Sequence, residues 1–278
     1  MKTRRLVNGR ARRCIDAADR GLQYGDGLFE TMALRGGTLR FLDAHMERLA
    51  RGCERMQIAP VPPAILEAEL AQLTAGADDG IVKLVVTRGG SARGYRPDQW
   101  AAPSRVLFLH PHRAWPAAHY ADGIRLRLCA TRLGCNPLLA GIKHLNRLEQ
   151  VMARLEGADA DAEEGLMLDD GGQIVAGTMT NVFLVEDGRV VTPALDRCGV
   201  AGVMRRVVLD TAAGAGVDTL IESVSRARLA AAAEVFVTNA LIGLWPVRVC
   251  AGGELGANPV TRSLMRALAA RGVRECAV

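Results

Sequence analysis

The sequence predicts an α+β protein of two domains, on three observations. Strand-like runs come in hairpins rather than alternating singly with helices, an aperiodic Pro/Ala-rich stretch interrupts the chain at 111–122, and 49% of the 278 residues are apolar. Strands grouped this way argue against a doubly wound parallel sheet. The length and apolar content allow two domains, each with its own core. We place the boundary in the 111–122 stretch, giving an N-terminal α+β domain over 1–115 and a C-terminal domain over 116–278 with a cleft between them.

Each element has a local cause. Asn8-Gly9 marks a hairpin between strands at 4–9 and 12–15. Gly36-Gly37 turns the strand at 28–35 into another at 38–42. Met46, Leu49, Cys53 and Met56 have helical spacing, with Asp43 placed to cap the helix. Pro62-Pro63 opens a second helix running to about Ala75. Runs rich in β-branched residues at 80–88 and 105–110 read as strands. Beyond the boundary, 124–130 alternates as a half-buried strand. A loop at 134–141 leads into a helix ending near Gly157. Asp169-Asp170-Gly171-Gly172 and Asp187-Gly188 close two further hairpins, and a helix follows Gly199-Val200-Ala201-Gly202. Helices at 225–233 and 259–271 bracket strands at 235–238 and 244–250.

Composition excludes several classes of function. No apolar run reaches the roughly 18–20 residues that span a bilayer. The first residues turn polar too soon for a signal peptide, which places the chain in the cytoplasm. Seven scattered cysteines with no C-x-x-C pair argue against a disulfide framework or a zinc site. His110-Pro111-His112 has ligand spacing but no accompanying carboxylate or Cys cluster, so no metal is expected. The charge of +5 is spread along a chain with only 4% aromatics, which disfavours nucleic acid and suits a small polyanionic ligand.

Lysine usage singles out one position. Lys2, Lys83 and Lys143 are the only lysines, while arginine supplies the other 32 basic residues. A lysine retained in such a chain points to a need for an amine, since a guanidinium neither deprotonates nor forms a Schiff base. Lys143 lies in Ala140-Gly141-Ile142-Lys143-His144-Leu145-Asn146-Arg147, between a loop and a helix.

A resemblance gives that lysine a context. Tyr24-Gly25-Asp26-Gly27-Leu28-Phe29-Glu30-Thr31 is similar to the early signature of fold-type IV pyridoxal 5'-phosphate (PLP) enzymes, the D-amino acid and branched-chain aminotransferase-like group. His45-Met46-Glu47-Arg48-Leu49, Asn181-Val182-Phe183, the Gly199 to Arg205 run and Trp245-Pro246-Val247 resemble later landmarks in order. Arg132 to Pro137, followed by Gly141 to Gln150, with Arg93-Gly94-Tyr95, looks most like the aminodeoxychorismate lyases within the group.

The resemblance implies a cofactor in the interdomain cleft, held as a Schiff base on Lys143. It implies Arg48 and the N–H groups near Gly202, Val203 and Met204 on its phosphate, and Asn239 among its contacts. Arg93 and Tyr95 are implied to meet the substrate. It further implies a homodimer, a small-molecule substrate, and a partner synthase as a possible donor of that substrate; a branched-chain or D-amino acid aminotransferase is the alternative. The physics agrees with these roles: a planar guanidinium fork suits phosphate oxygens, and a helix N-terminus receives anions.

One position departs from the family pattern. Most relatives place a glutamate five residues before the Asn of Asn-Leu-Phe, where it holds the proton on the pyridine nitrogen. Ala176 stands there in this chain. Thr178 or a water is left to contact that nitrogen, or the ring is largely unprotonated. A weaker electron sink disfavours amino-group transfer more than an elimination that creates an aromatic ring.

Overall fold

Asn8 and Gly9 both take positive φ, 49° and 72°, and bridge Val7 to Arg10 as a tight turn. The strand before it, β1 (Arg4–Val7), pairs antiparallel with β5 (Ser104–His110) rather than with the residues that follow. The expected strand at 12–15 does not form. Arg12, Arg13, Cys14 and Ile15 are all exposed and have no apolar face to bury.

The computed structural model describes residues 2–91, 93–98, 101–156, 162–250 and 253–277. The chain divides into two units, Met1–Arg113 with Ile142–Asn146, and Ala114–Gly141 with Arg147–Val278.

Unit 1 is a five-stranded antiparallel sheet in the order β1-β5-β4-β2-β3, where β2 is Gly27–Arg35, β3 Thr38–Leu39 and β4 Gly80–Thr87. Helix α1 (Arg20–Tyr24) precedes β2, and α2 (Leu42–Arg55) and α3 (Pro63–Thr74) contribute to the core. Alternate residues of the strands, among them Met32, Leu34, Val82, Leu84, Leu107 and Leu109, meet Leu49, Leu66, Leu70 and Leu73 from the helices. Each such side chain contributes about 1.5–3 kcal/mol on burial. Helix α2 starts at Leu42, after Phe41 at φ 54°, with no side-chain cap. Asp43 therefore sits inside the first turn, where its charge complements the helix dipole.

Unit 2 is built on a nine-stranded mixed sheet. Its path is β11-β10-β9-β12-β13-β6-β7-β8, with β14 on β13. In chain order the elements are α4 (Ala118–Ala121), β6 (Ile124–Leu133), α5 (Leu148–Leu155), β7 (Glu164–Asp169), β8 (Ile174–Gly177), β9 (Asn181–Glu186) and β10 (Arg189–Pro193). Then come α6 (Val203–Gly214), β11 (Thr219–Glu222), α7 (Arg226–Ala231), β12 (Glu234–Asn239), β13 (Gly243–Cys250), β14 (Gly253–Glu254) and α8 (Pro259–Ala270). Phe183 and Phe236 stack at 4.8 Å on neighbouring strands, and Trp245 is buried among Trp115, His119 and Tyr120. Strand β11 escapes the period-2 reading because it is a short edge strand, only half-buried to exposed, parallel to β10. The expected end of α5 near Gly157 lies outside the described residues; the helix closes at Leu155.

One placement is corrected. The sequence reading drew Lys143 inside the C-terminal domain, whereas Ile142–Asn146 belongs to unit 1. The cause is backbone pairing of that segment with β2.

Candidate active site

Lys143 is fixed by its main chain. The Phe29 N–H donates to the Lys143 carbonyl at 3.0 Å, and the Leu145 N–H donates to the Gly27 carbonyl at 2.9 Å. His144 thereby bridges Leu28 on the free edge of β2. The glycines of Tyr24-Gly25-Asp26-Gly27 make room for this. A Cβ on Gly27 would lie 2.6 Å from the Val86 carbonyl oxygen and 2.9 Å from Leu145. Gly25, at φ 65°, faces the side chain of Asn146, whose amide donates to the Gly25 carbonyl. Two motifs over a hundred residues apart thus meet as one short ladder. The Lys143 ammonium nitrogen lies 4.2 Å from the centroid of the Phe29 ring, a cation–π distance.

Beside it stands a buried charged cluster. Glu30 is 1% exposed and accepts from Arg48 Nε at 2.8 Å, from Arg48 Nη2, and from His45 Nδ1 at 2.6 Å. Burial pushes the Glu30 carboxyl up, but the hydrogen bonds and charges of His45 and Arg48 outweigh it and hold it below the ordinary value. Burial holds His45 below its ordinary value against the pull of Glu30, and the positive charges of Arg48 and Lys143 add to the effect. A carboxylate only accepts, so His45 Nδ1 carries the proton. Its Nε2 is buried and has no hydrogen-bond partner among the described residues.

Arg93 and Tyr95 lie on an exposed loop after β4, Tyr95 being 86% exposed. The loop is held from below. Arg20, 4% exposed, donates to the carbonyls of Gly94 at 2.8 Å and Tyr95 at 2.9 Å.

In unit 2 the turn before α6 has the makings of an anion cradle. Gly202 is the N-cap, and no side chain caps the helix. The first N–H groups, at Val203 and Met204, are therefore left without the side-chain acceptor that usually satisfies them. A Cβ on Gly202 would come within 2.1 Å of Asn181 Oδ1, so a larger residue there would have to displace the Asn181 side chain. Asn181 also donates to the Val200 carbonyl at 2.9 Å. Gly141, two residues before Lys143 in the chain, bridges Val200 through Gly141 N–H to the Gly199 carbonyl and Ala201 N–H to the Gly141 carbonyl. Asn239 ends β12, and its carboxamide is committed. Oδ1 accepts from the N–H groups of Leu241 and Ile242, and Nδ2 donates to the Met179 carbonyl.

Ala176 lies opposite Met167 on the neighbouring strand and packs in an apolar cluster with Cys129, Ala153 and Val175. Thr178 is drawn elsewhere. Its hydroxyl donates to Glu164, a fully buried carboxylate that also accepts from the Thr178 and Met179 N–H groups and from Thr180. His110 stacks on Phe108, and His112 Nδ1 contacts Arg35, so the His-x-His pair is engaged in separate contacts.

Residues 27–250 match the amino-transferase class IV family. The chain belongs to that family. It is 36% identical over 243 residues to the aminodeoxychorismate lyase of Vibrio harveyi, covering 87% of this chain and 89% of that one. It is 30% identical over 237 residues to a putative branched-chain-amino-acid aminotransferase of Methanocaldococcus jannaschii. The crystal structure of 4-amino-4-deoxychorismate lyase from Pseudomonas aeruginosa superposes with a TM-score of 0.93 at 48% identity, covering 97% of this chain and 99% of that one. The branched-chain aminotransferase of Escherichia coli, at 22% identity and TM-score 0.86, shows the same class IV fold.

Within this class IV chain, sequence reasoning gave no role to Arg20, Asp26, Glu30, His45 or Glu164. The available signal was a charge inside an otherwise apolar strand, as at Glu30 in Leu28-Phe29-Glu30-Thr31-Met32 and Glu164 before Leu166. A buried charge needs a partner, and that partner is distant in sequence.

Proposed function

We propose that this class IV enzyme is an aminodeoxychorismate lyase, converting 4-amino-4-deoxychorismate to 4-aminobenzoate and pyruvate with PLP carried on Lys143. The observation that carries the reading is the near-complete, 48% identical match to the Pseudomonas aeruginosa lyase structure, against 22% for the Escherichia coli aminotransferase of the same fold.

The residues fit the cofactor. His45 leaves a buried nitrogen without a partner beside a buried arginine, and Gly202 opens a helix that no side chain caps. Lys143 would hold the cofactor covalently. Arg48, locked by Glu30, and the N–H groups of Val203 and Met204 after Gly202 would take its phosphate. Asn239 would contribute through the turn that it fixes. When bound, PLP supplies the electron sink that allows a proton to leave the carbon bearing the amine.

Once the substrate's amine has displaced it, Lys143 Nζ would take that proton as general base and return one as general acid. The bond from the neighbouring carbon to the enolpyruvyl oxygen breaks, the ring becomes aromatic, and the released enol ketonises to pyruvate. Arg93 and Tyr95 would meet the substrate's carboxylates. Glu164 holds the turn that includes Thr178, and Ala176, standing where the resemblance puts a glutamate, would offer no charge to the pyridine nitrogen. That pattern favours elimination over amino-group transfer.

We assign a cytoplasmic homodimer to this enzyme, with delivery of substrate by an aminodeoxychorismate synthase as one source. Among the described residues no helix is long and apolar enough to cross a membrane. Leu148, Val151, Met152 and Leu155 form an exposed apolar stripe along α5 that suits a second copy. The test is pyruvate release from 4-amino-4-deoxychorismate without any oxo-acid acceptor. Turnover that requires such an acceptor would favour the aminotransferase reading instead.

A further inference from the structure

Arg20 is 4% exposed, and its whole guanidinium is used. Nε donates to Asp26 Oδ2 at 2.8 Å, Nη1 to the Gly94 carbonyl at 2.8 Å and to Ser91 Oγ at 3.4 Å, and Nη2 to the Tyr95 carbonyl at 2.9 Å. The guanidinium carbon lies 4.8 Å from the centroid of the Tyr24 ring, and Tyr24 in turn packs against Tyr95 at 5.6 Å. Two successive backbone carbonyls are thus gripped by one planar fork at the place where Gly94, at φ 116°, turns the chain.

The grip is anchored to a rigid part of unit 1. Asp26 also accepts from Arg88, through Nε at 2.8 Å and Nη2 at 3.0 Å. Arg88 reaches on to the carbonyls of Met56 and Gln57, just past the end of α2. That helix carries His45 and Arg48. Arg20 is itself pinned by its N–H to the Gly89 carbonyl at 2.9 Å. The Arg20–Asp26–Arg88 chain therefore ties Ser91 and the Gly94-Tyr95 backbone to the helix that bears the buried charged cluster. Arg93 and Tyr95 themselves are exposed.

We propose that Arg20 is the positioning residue of the substrate-recognition loop: its two carbonyl contacts and its Asp26 pair hold Arg93 and Tyr95 ready for a dicarboxylate substrate. This rests on the lyase reading for the roles of Arg93 and Tyr95. A held loop lowers the ordering cost that substrate binding would otherwise carry. Lysine cannot replace Arg20, because a point charge on a flexible stem cannot span one carboxylate and two carbonyls together.

The test uses PLP-loaded wild type, Arg20→Lys and Arg20→Gln. Steady-state turnover of 4-amino-4-deoxychorismate should show KM raised about tenfold or more in Arg20→Gln, with kcat within about threefold, since uniform binding is what is lost. Arg20→Lys should fall between. A merely structural role would reduce the active fraction and the melting temperature without raising KM. Limited trypsinolysis supplies a readout free of catalysis: the peptide ending at Arg93 should be released faster from both variants. An unchanged KM in cofactor-loaded Arg20→Gln, or unchanged cleavage after Arg93, would overturn the proposal. If Arg20→Gln does not fold, Arg20→Lys carries the same two readouts. A wild type that releases no pyruvate sinks the lyase reading alone, and the trypsin arm still decides whether Arg20 orders the loop.

Discussion

Glu30 shows how much a single side chain organises here. It neutralises Arg48, fixes the tautomer of His45 and does so almost fully buried, behind the strand that carries Phe29. Glu30→Gln would leave the Arg48 charge buried and uncompensated, and is expected to cost about 3–5 kcal/mol in urea unfolding. The pH dependence has a definite sign. The folded carboxyl lies below the ordinary 4.5, so its stabilisation is present in full above that value and is lost as pH falls through the lowered one. Wild type should therefore lose stability below pH 4.5 through this group, and Glu30→Gln should show a flatter acid limb in melting curves. Ala176 makes a second residue-scale prediction: aminotransfer from branched-chain or D-amino acids should be slower than release of 4-aminobenzoate, measured on one preparation. Lys143 stands out in the sequence because lysine is so scarce in this chain. Glu30, Arg20 and Glu164 do not, because a charge in a sequence looks the same whether it faces water or a distant partner.

At the scale of elements, glycine decides where backbones can approach. Gly202→Ala would drive a Cβ into Asn181 Oδ1 and displace the turn that opens α6. PLP affinity, followed by spectral titration, is expected to fall roughly tenfold, the equivalent of about 1.4 kcal/mol. Most strands could be read from their period and turn residues, as with β4 between Gly80 and Thr87 and the Asp187-Gly188 hairpin of β9 and β10. The failures share a cause. The 12–15 segment has neither an apolar face nor a partner, β11 depends on a neighbour from elsewhere in the chain, and α2 begins at a strained Phe41 rather than at a polar cap. Local pattern cannot report what tertiary pairing supplies.

At the scale of the whole molecule, unit 1 runs to Arg113 and takes up Ile142–Asn146 again further along the chain. No composition signal marks that return, since it rests on two backbone hydrogen bonds to β2. The α5 stripe carries a prediction about assembly: purified wild type is expected to sediment as a dimer, and Leu155→Glu together with Val151→Arg should shift it towards monomer. The most direct test of the lyase reading is the visible spectrum followed through turnover. Purified wild type should be yellow, lose that colour on borohydride treatment, and release equal amounts of 4-aminobenzoate and pyruvate, while Lys143→Ala should be colourless under the same treatment and inactive. A wild type that cannot take up PLP, or a Lys143→Ala protein that still forms the borohydride-sensitive chromophore and turns over, would contradict it.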